Sequence, residues 1–299
     1  MASPPNFQIT TTIRYDPELS TNTSISIPAS CPSPSRSPYY LLSYHRDRLL
    51  SAARDFQWDA AIAVLQQQQP NEDAPDAAAA ARLANVLNKS IPDPAQPWKL
   101  RVLLNESGNF TVEATPTTPF PSHILLLPSN KSTSFSDLAR EDDDTQQPWL
   151  LRIDTQPTHP SLFTTHKTTM RDEYTASRER AGISSPRDRI EVVIWNPAGE
   201  VMEGSITTVY FRRKRRRGQL SSSAVDEKEE MDGDEWVTPP LSCGGNAATS
   251  RRYALASGMC SEEVVRVEDL VDGEEVWVSN GVRGFMPAIF ERGGEMGNS

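Results

Sequence analysis

Residues 190–211 read IEVVIWNPAGEVMEGSITTVYF, and this stretch decides the fold. Two runs rich in apolar and β-branched residues, 190–195 and 201–211, flank the turn sequence Asn-Pro-Ala-Gly at 196–199. The pattern predicts a strand, a turn and a second strand. Glu203 stands just before Gly204 in the second run. Its carboxylate either faces the interior and pairs with a cation or lies exposed on a hairpin, and the local pattern leaves both interpretations open.

The composition bounds the class of protein around this stretch. A length of 299 residues allows one large or two medium domains, and 24 prolines with a 37% hydrophobic fraction predict ordered cores joined by long loops. The net charge is −10, with 11 basic and 16 acidic residues up to position 150 and 19 and 24 after it. Neither half is basic, which argues against a nucleic-acid partner.

The sequence also carries no signal for a membrane or a metal. No apolar run approaches the ~20 residues of a membrane span, and residues 1–6 contain neither a charged leader nor an apolar segment. The three cysteines, Cys31, Cys243 and Cys260, fit no metal-site spacing. We therefore expect a cytoplasmic protein that binds neither membrane nor metal.

Hydrophobic periodicity divides the chain into two predicted domains. Residues 1–150 are expected to form an α+β domain, and residues 151–299 a second domain that the chain enters through an extended crossing at 151–163. The predicted helices span residues 38–56, 74–90, 169–181 and 247–258. The remaining predicted strands span residues 7–14, 98–104, 110–114, 123–127, 236–238 and 275–279.

Residues 212–235 form a low-complexity insertion in the second domain. Six consecutive basic residues at 212–217 precede a Ser-rich stretch and then an acidic one. A nuclear-import signal or a polyanion patch would use such a basic run. The acidic arm of the same loop can neutralise it, and we expect a solvated insertion with no partner of its own.

Three further clusters carry residues suited to chemistry. Lys167 lies between an extended segment and a helix, where burial would turn it into a Schiff-base lysine and exposure would leave it solvated. Residues 242–251, SCGGNAATSR, lead a glycine turn into a helix, which suits a phosphate but also suits a plain helix start. Residues 279–284, SNGVRG, open a loop at a strand end.

Taken in order along the chain, these clusters resemble the fold-type IV pyridoxal-phosphate enzymes. The resemblance adds two motifs near the N-terminus and runs through nearly the whole chain: TTIR at 11–14, HRDRL at 45–49, KTTMR at 167–171, EGS at 203–205, ATSR at 248–251 and SNGVRG at 279–284. It implies an α+β fold with a small N-terminal α/β domain and a larger C-terminal domain with a pseudo-barrel sheet. Family members are commonly homodimers, which we carry over as an expectation.

The resemblance also implies a set of site residues for pyridoxal 5′-phosphate. Lys167 would form the Schiff base and act as the catalytic residue, and Glu203 would keep the pyridine nitrogen protonated. Arg14 would hold the phosphate, helped by Thr249, Ser250 and the Asn280 loop. Two positions depart from the family pattern: Thr208 stands where Asn is usual, and Ala248 where Gly is usual.

Three functions follow as alternatives, each acting on a small-molecule amine if catalytic. The first is a lyase that converts 4-amino-4-deoxychorismate into 4-aminobenzoate and pyruvate. The second is an aminotransferase for branched-chain or D-amino acids, and the third is a non-catalytic relative. The TTIR form at 11–14 and the VRGFMP ending at 282–287 resemble the lyase branch, which we favour. We further expect His166 to be structural, and Arg171 and Arg251 to brace their loops.

Overall fold

A computed structural model of the chain describes residues 7–21, 37–66, 75–120, 122–125, 147–185, 188–213 and 235–292. Within these residues the chain forms a small three-stranded sheet, with helices packed against it, and a curled eight-stranded sheet. The expected mixed fold, with a small sheet domain and a half-barrel domain, is confirmed.

The small sheet is antiparallel, and its strand order follows the chain. Its helices supply an apolar face: Leu49, Ala53, Ala61 and Leu87 are fully buried with Ile9 and Ile13 of the first strand. The strands are β1 (Ile9–Tyr15), β2 (Trp98–Leu104) and β3 (Phe110–Pro116). The helices packed against it are α2 (Leu42–Asp55), α3 (Asp59–Gln66) and α4 (Pro75–Asn88). Two short helices, α1 (Glu18–Thr21) and α5 (Ser122–Leu125), instead bury their leucines, Leu19 and Leu125, in a cluster with residues of the large sheet.

The large sheet is mixed and has the order β6-β5-β4-β11-β10-β7-β8-β9. The pairs β5–β4, β4–β11 and β8–β9 are parallel, and the other neighbours are antiparallel. Its strands are β4 (Trp149–Ile153), β5 (Ile190–Trp195), β6 (Val201–Gly204), β7 (Thr208–Arg213), β8 (Glu235–Thr238), β9 (Ser261–Glu262), β10 (Glu275–Asn280) and β11 (Gly284–Glu291). The helices of this half are α6 (Leu162–Thr165), α7 (Asp172–Arg180) and α8 (Thr249–Ala256).

The structure corrects several predictions. The strand predicted at 201–211 is two strands, β6 and β7, separated by residues 205–207. Helices α1, α3 and α6 and strand β9 were not predicted. The predicted strand at 123–127 is the helical turn α5, because a short apolar run does not by itself distinguish strand from helix. The crossing at 151–163 begins inside β4, a central strand of the large sheet. The division at residue 150 therefore falls within a strand and stays a prediction. Strand β11 was not predicted at all.

The end residues of the predicted insertion at 212–235 belong to strands, because Arg212 and Arg213 end β7 and Glu235 begins β8. Strands β7 and β8 pair antiparallel, with Arg213 opposite Glu235. Residues 214–234, between these strands, lie outside the described residues. The prediction of a solvated insertion without a partner therefore stays a prediction. The insertion thus joins two neighbouring strands whose last pair is already in register.

Candidate active site

Lys167 is held at the junction of the two sheets by backbone hydrogen bonds. The amide of Thr10 in β1 donates to the carbonyl oxygen of Lys167 over 2.8 Å, and the amide of Thr169 donates to the carbonyl oxygen of Gln8 over 2.9 Å. The segment 166–169 thus runs alongside the first strand of the small sheet. Lys167 follows the helical turn α6, not the extended segment that the sequence predicts, and it precedes helix α7.

The electrostatic surroundings of Lys167 favour its neutral amine. The pKa of Lys167 is lowered to about 7, first because the surrounding protein desolvates the ammonium and then because the cations Arg171 and Arg48 repel it. Glu203 acts in the opposite direction. The side chain is nevertheless partly exposed. A lysine that is accessible and close to half neutral near pH 7 has the properties of a nucleophile or a proton acceptor.

Glu203 is buried in β6, and both of its carboxylate oxygens accept hydrogen bonds. The hydroxyl of Tyr174 donates to Oε1 over 2.6 Å, and Nδ2 of Asn246 donates to Oε2 over 2.5 Å. Burial raises the pKa of Glu203, while these two hydrogen bonds and the nearby Arg171 oppose the rise. The interior orientation, one of the two interpretations that the sequence left open, is the one observed.

Arg48 lies next to this carboxylate through a shared amide. Its Nη2 donates to Oδ1 of Asn246 over 3.0 Å, so Asn246 joins Arg48 to Glu203. Desolvation lowers the pKa of Arg48 to about 10, and Glu203 opposes this. The side chain comes from helix α2, in the HRDRL motif at 45–49. The sequence contained this motif, yet sequence reasoning gave Arg48 no role.

Arg14, the residue predicted to hold the phosphate, has other partners. Its guanidinium is fully buried and donates to Asp16 Oδ2 from Nε over 2.9 Å and from Nη2 over 2.7 Å. Nη2 also donates to the carbonyl oxygen of Thr118 over 2.8 Å, and the group lies over the ring of Phe120. The assignment of Arg14 to the phosphate stays a prediction. Arg48, which Asn246 joins to the segment before α8, is a second candidate for that role.

The first turn of helix α8 presents Thr249 and Ser250, both buried. The N-cap residue is Ala248, whose methyl group cannot accept a hydrogen bond from the amides of that turn. The hydroxyl of Ser250 accepts from Ser279 Oγ over 2.8 Å, which links the helix to β10. An uncapped helix N-terminus with two hydroxyls suits a phosphate.

The Asn280 loop is shaped by its own side chain. Oδ1 of Asn280 accepts from the amides of Val282, over 3.0 Å, and Arg283, over 2.9 Å. Gly281 allows a close approach, since a Cβ there would lie 2.8 Å from Cε1 of His45 and 3.0 Å from the carbonyl oxygen of Thr12. The loop therefore packs directly on β1 and helix α2.

The three residues expected to be structural behave as predicted. Nε2 of His166 lies 2.6 Å from Asp55 Oδ2. Nη2 of Arg171 donates to the carbonyl oxygen of Ser205 over 2.5 Å, and Nη2 of Arg251 donates to that of Pro239 over 2.8 Å and to Glu262. Each arginine fastens a loop beside the site.

Two absences concern the described ranges alone. Within them, no three His, Cys, Asp or Glu side chains are grouped as a metal site would require. None of the helices that the structure describes is long and apolar enough to cross a bilayer.

The order of these features along the chain, a lysine, a buried carboxylate and a helix N-terminus, is the order of the resemblance. A match to a family model identifies the family. The model described as amino-transferase class IV matches residues 35–289. The chain belongs to the class IV aminotransferase family. Pyridoxal phosphate is the cofactor of this family, and the chain is a pyridoxal-phosphate-dependent enzyme, either a lyase or an aminotransferase.

Individual relatives cover both kinds of enzyme. The aminodeoxychorismate lyase of Saccharomyces cerevisiae is 31% identical over 204 residues, which are 63% of this chain and 50% of the yeast protein. This chain thus matches about half the length of that relative. A provisionally named amino-acid aminotransferase of Mesorhizobium loti superposes with a TM-score of 0.59 at 21% identity, covering 95% of this chain and all of the other.

A third relative bears on the cofactor. A hypothetical aminotransferase of Mycobacterium tuberculosis, in its pyridoxal-phosphate-bound form, superposes with a TM-score of 0.50 at 16% identity, covering 95% of this chain and 81% of the other. At these identities the solved structures establish the fold and no finer property.

The residues present in this chain fit pyridoxal phosphate. The amine of Lys167 is poised near pH 7, the carboxylate of Glu203 is buried within the same electrostatic neighbourhood, and Arg48 stands beside both. The α8 N-terminus lacks a side-chain cap. The amine of Lys167 suits the aldehyde of the cofactor, the carboxylate of Glu203 suits its basic ring nitrogen, and Arg48 with the α8 N-terminus suits its phosphate.

Sequence reasoning missed three members of the site. Arg48 was visible in a quoted motif, but Tyr174 and Asn246 carried no such signal. Tyr174 lies one turn inside α7, and Asn246 lies in the glycine turn before α8. Only the folded chain shows that both side chains meet at Glu203.

Proposed function

We propose that this chain is a lyase that converts 4-amino-4-deoxychorismate into 4-aminobenzoate and pyruvate, a step of folate biosynthesis. The observation that carries the choice is the 31% identity with the yeast aminodeoxychorismate lyase. The motifs at 11–14 and 282–287 support the same choice. An aminotransferase needs a 2-oxo acid as its second substrate, whereas the lyase needs no second substrate.

In this proposal the chain holds the cofactor at three places. Arg48 and the first turn of α8, with Thr249 and Ser250, bind the phosphate through charge-assisted and backbone hydrogen bonds. The Asn280 loop closes the same end. Glu203 accepts the hydrogen bond of the ring nitrogen, and Tyr174 orients its carboxylate from the other side.

Lys167 moves the proton that starts the reaction. When bound, pyridoxal phosphate supplies an electron sink for the pair left when a proton leaves the substrate carbon. Lys167 Nζ, with a pKa of about 7, accepts that proton from the carbon that bears the substrate amine. The negative charge of the buried Glu203 carboxylate would keep a proton on the ring nitrogen of the bound cofactor.

The atoms of the substrate balance without an acceptor. The C–H bond beside the amine breaks, the C–O bond to the enolpyruvyl group breaks, and the six-membered ring becomes aromatic. The enolpyruvyl group leaves and takes up a proton to become pyruvate. The amine stays on the ring, in contrast to an amino-group transfer.

The deciding experiment gives the purified holoenzyme 4-amino-4-deoxychorismate without any oxo acid. We expect equal amounts of 4-aminobenzoate, measured by its fluorescence, and pyruvate, measured with lactate dehydrogenase. Lys167→Ala should abolish both products, and the exposed lysine of β2, changed as Lys99→Ala, serves as the matched control. Amino transfer from a branched-chain or D-amino acid to 2-oxoglutarate, without pyruvate from aminodeoxychorismate, would replace the lyase with an aminotransferase.

A further inference from the structure

The turn that follows Glu203 is built around a second buried carboxylate. Glu191 in β5 is fully buried. Its Oε1 accepts from Ser205 Oγ over 2.5 Å and from the Ser205 amide over 3.1 Å, and its Oε2 accepts from the Ile206 amide over 3.1 Å and from Thr207 Oγ1 over 2.8 Å. Every residue of the turn 205–207 therefore donates to one side chain.

This carboxylate is held mostly by neutral donors. The amide of Val192 adds a fifth hydrogen bond over 2.8 Å. Nη1 of Arg178 stands 3.8 Å from Oε1 and donates instead to Ser205 Oγ over 2.9 Å. Burying a carboxylate is costly unless hydrogen bonds satisfy it. Burial of Glu191 is therefore offset only while all five hydrogen bonds form, and this restricts the turn 205–207 to one conformation.

The turn has little freedom on its other sides. The amide of Gly204 donates to the carbonyl oxygen of Thr207 over 2.9 Å, and Arg171 donates to that of Ser205. A Cβ at Gly204 would lie 2.3 Å from Thr207 Oγ1 and 3.0 Å from Glu191 Cγ. The residue between Glu203 and the turn is therefore packed against the Glu191 side chain itself.

Strand β6, which carries Glu203, is short and has few pairing contacts with β5. The turn 205–207 therefore helps to set the direction of the Glu203 side chain. Strand β6 pairs with β5 through Val193–Gly204, Ile194–Glu203 and Trp195–Val201, and the register shifts between Ile194 and Trp195. On one side of Glu203 the ladder is irregular. On the other side Gly204 pairs with Val193, and the Ser205 amide is shared between the Val192 carbonyl oxygen, over 3.0 Å, and Glu191. Beyond Ser205 the turn is fixed by the hydrogen bonds that Ile206 and Thr207 donate to Glu191.

We propose that Glu191 is a positioning residue for Glu203: by fixing the turn 205–207 it aims the Glu203 carboxylate at the ring nitrogen of the cofactor. The proposal rests on the assignment of Glu203 to that nitrogen, and it applies equally to a lyase and to an aminotransferase. Glu191 touches no reacting atom in this account. Its effect reaches the chemistry through the backbone of β6.

The main variant is Glu191→Gln, which keeps the size of the side chain but turns one acceptor into a donor facing other donors. Glu191→Asp keeps the charge and is expected to restore part of the effect. The matched control is Asp154→Asn, which removes another buried carboxylate just after β4, paired with Arg180 over 2.6 Å and remote from the turn in its hydrogen bonding. The control separates loss of a buried carboxylate from loss of the turn.

The first measurement uses the cofactor-free chain. Hydrogen exchange followed by mass spectrometry should be faster at the Ile206 amide, which donates to Glu191, in Glu191→Gln than in the unaltered protein, and unchanged there in Asp154→Asn. The second measurement uses the holoenzyme reconstituted with ¹⁵N-labelled pyridoxal phosphate. The ¹⁵N shift of the ring nitrogen should move toward the unprotonated form in Glu191→Gln alone.

The kinetic expectation is a fall in kcat with KM unchanged. A misplacement of about 1 Å in a catalytic group costs up to about a hundredfold, and we expect Glu191→Gln to lose between about tenfold and a hundredfold in kcat. A ring nitrogen that stays protonated with kcat unchanged would overturn the proposal, as would the same pattern in Asp154→Asn. The nitrogen and exchange measurements need no substrate, so they stand even if the lyase assignment fails.

A second variant covers the case in which Glu191→Gln does not fold. Thr207→Val removes one hydrogen bond to Glu191 and leaves the carboxylate in place. It should shift the nitrogen signal and kcat in the same direction by a smaller factor. No shift in a folded Thr207→Val protein would then overturn the proposal.

Discussion

The backbone amide of Thr10 donates to the carbonyl oxygen of Lys167 over 2.8 Å. Thr10 belongs to the first strand of the small sheet, whereas Glu203 belongs to the large one. The same strand meets the Asn280 loop, since the amide of Arg14 donates to the carbonyl oxygen of Gly281 over 3.2 Å. The lysine, the carboxylate and the phosphate end therefore come together only when both halves of the chain have folded.

Lys167 should react as a neutral amine near neutral pH. Its pKa, lowered to about 7 by desolvation and by Arg171 and Arg48, means that the reactive amine accumulates as the pH rises through 7. An ordinary lysine stays protonated to about pH 10. Acetylation of the cofactor-free chain with acetic anhydride, quantified per peptide between pH 6 and 10, should show a midpoint near 7 at Lys167. The exposed Lys99 is the internal control, and a midpoint near 10 at Lys167 would contradict the prediction.

Borohydride should attach the cofactor to the same lysine. Reduction of a Schiff base turns a reversible imine into a stable amine, so only the lysine that forms the imine is trapped. We expect mass spectrometry to find the phosphopyridoxyl adduct on Lys167. The adduct on Lys99, on Lys89 or on no lysine would disprove the assignment.

The sequence predicted the elements whose pattern is local. The strand at 98–104 and that at 190–195 match the observed β2 and β5, because each is a compact run of apolar and β-branched residues. The predicted start of helix 38–56 lies four residues before the observed start at Leu42, and β4 overlaps the segment 151–163, for which the sequence predicts an extended crossing. Strand β4 begins at Trp149 and is bordered by prolines in sequence, which obscured its central place in the sheet.

The sequence predicts site residues that stand in family motifs, but it does not predict which partner each side chain meets in the fold. The local patterns left Lys167 and Glu203 open, and only the family resemblance assigned them roles, which stay predictions. Arg14 and Arg48 both stand in motifs of the resemblance, and a motif does not say which guanidinium an aspartate neutralises. Asp16 lies two residues after Arg14, yet only the fold shows the pair. No sequence signal marked Glu191, because four of its five donors come from the turn 205–207, which only the fold brings next to it.

Substitution of Arg48 and substitution of Arg14 should affect different properties, cofactor affinity in the first case and stability in the second. Arg48→Gln is expected to weaken pyridoxal phosphate binding by about tenfold to a hundredfold, the value of one charge-assisted hydrogen bond at roughly 1.5–3 kcal/mol. Its thermal stability should change little, because its side chain is partly exposed. Equilibrium dialysis of the cofactor and a melting curve measure the two effects.

Arg14→Gln should do the reverse. It leaves Asp16 buried without its cation, and breaking such a pair costs about 3–5 kcal/mol of stability. The folded fraction should bind the cofactor normally. If Arg14→Gln loses the cofactor at unchanged stability while Arg48→Gln retains it, Arg14 is the phosphate residue.

Residues 214–234 should be dispensable. Arg213 and Glu235 are already paired across β7 and β8, so an Asn-Gly turn can join them in a two-residue hairpin. Shortening the connection reduces the entropy lost on closing it, by about 2 kcal/mol at roughly 0.6 kcal/mol per halving. We expect unchanged kcat and equal or higher thermal stability, measured beside the full chain. A large loss of turnover in a folded protein would show that the insertion has a function.

Glu203→Gln should keep the cofactor and lose the chemistry. Arg48 and the α8 N-terminus still hold the phosphate, so the cofactor content should match that of the unaltered enzyme. The ring nitrogen loses the anion that keeps it protonated. One pKa unit corresponds to about 1.4 kcal/mol, so a fall of two to three units in the ring nitrogen's pKa implies a rate loss of about a hundredfold or more.

Tyr174→Phe provides the graded control for Glu203→Gln. It removes the 2.6 Å hydrogen bond to Oε1 but leaves the carboxylate and its bond to Asn246. A hydrogen bond to a charged carboxylate contributes roughly 1.5–3 kcal/mol, so a loss of about tenfold to a hundredfold, no larger than that of Glu203→Gln, is expected. Turnover and cofactor content should be measured together for both variants and for Lys167→Ala, which should be the least active. Full activity of Glu203→Gln with bound cofactor would remove this carboxylate from the mechanism, and Glu191 would then have nothing to position.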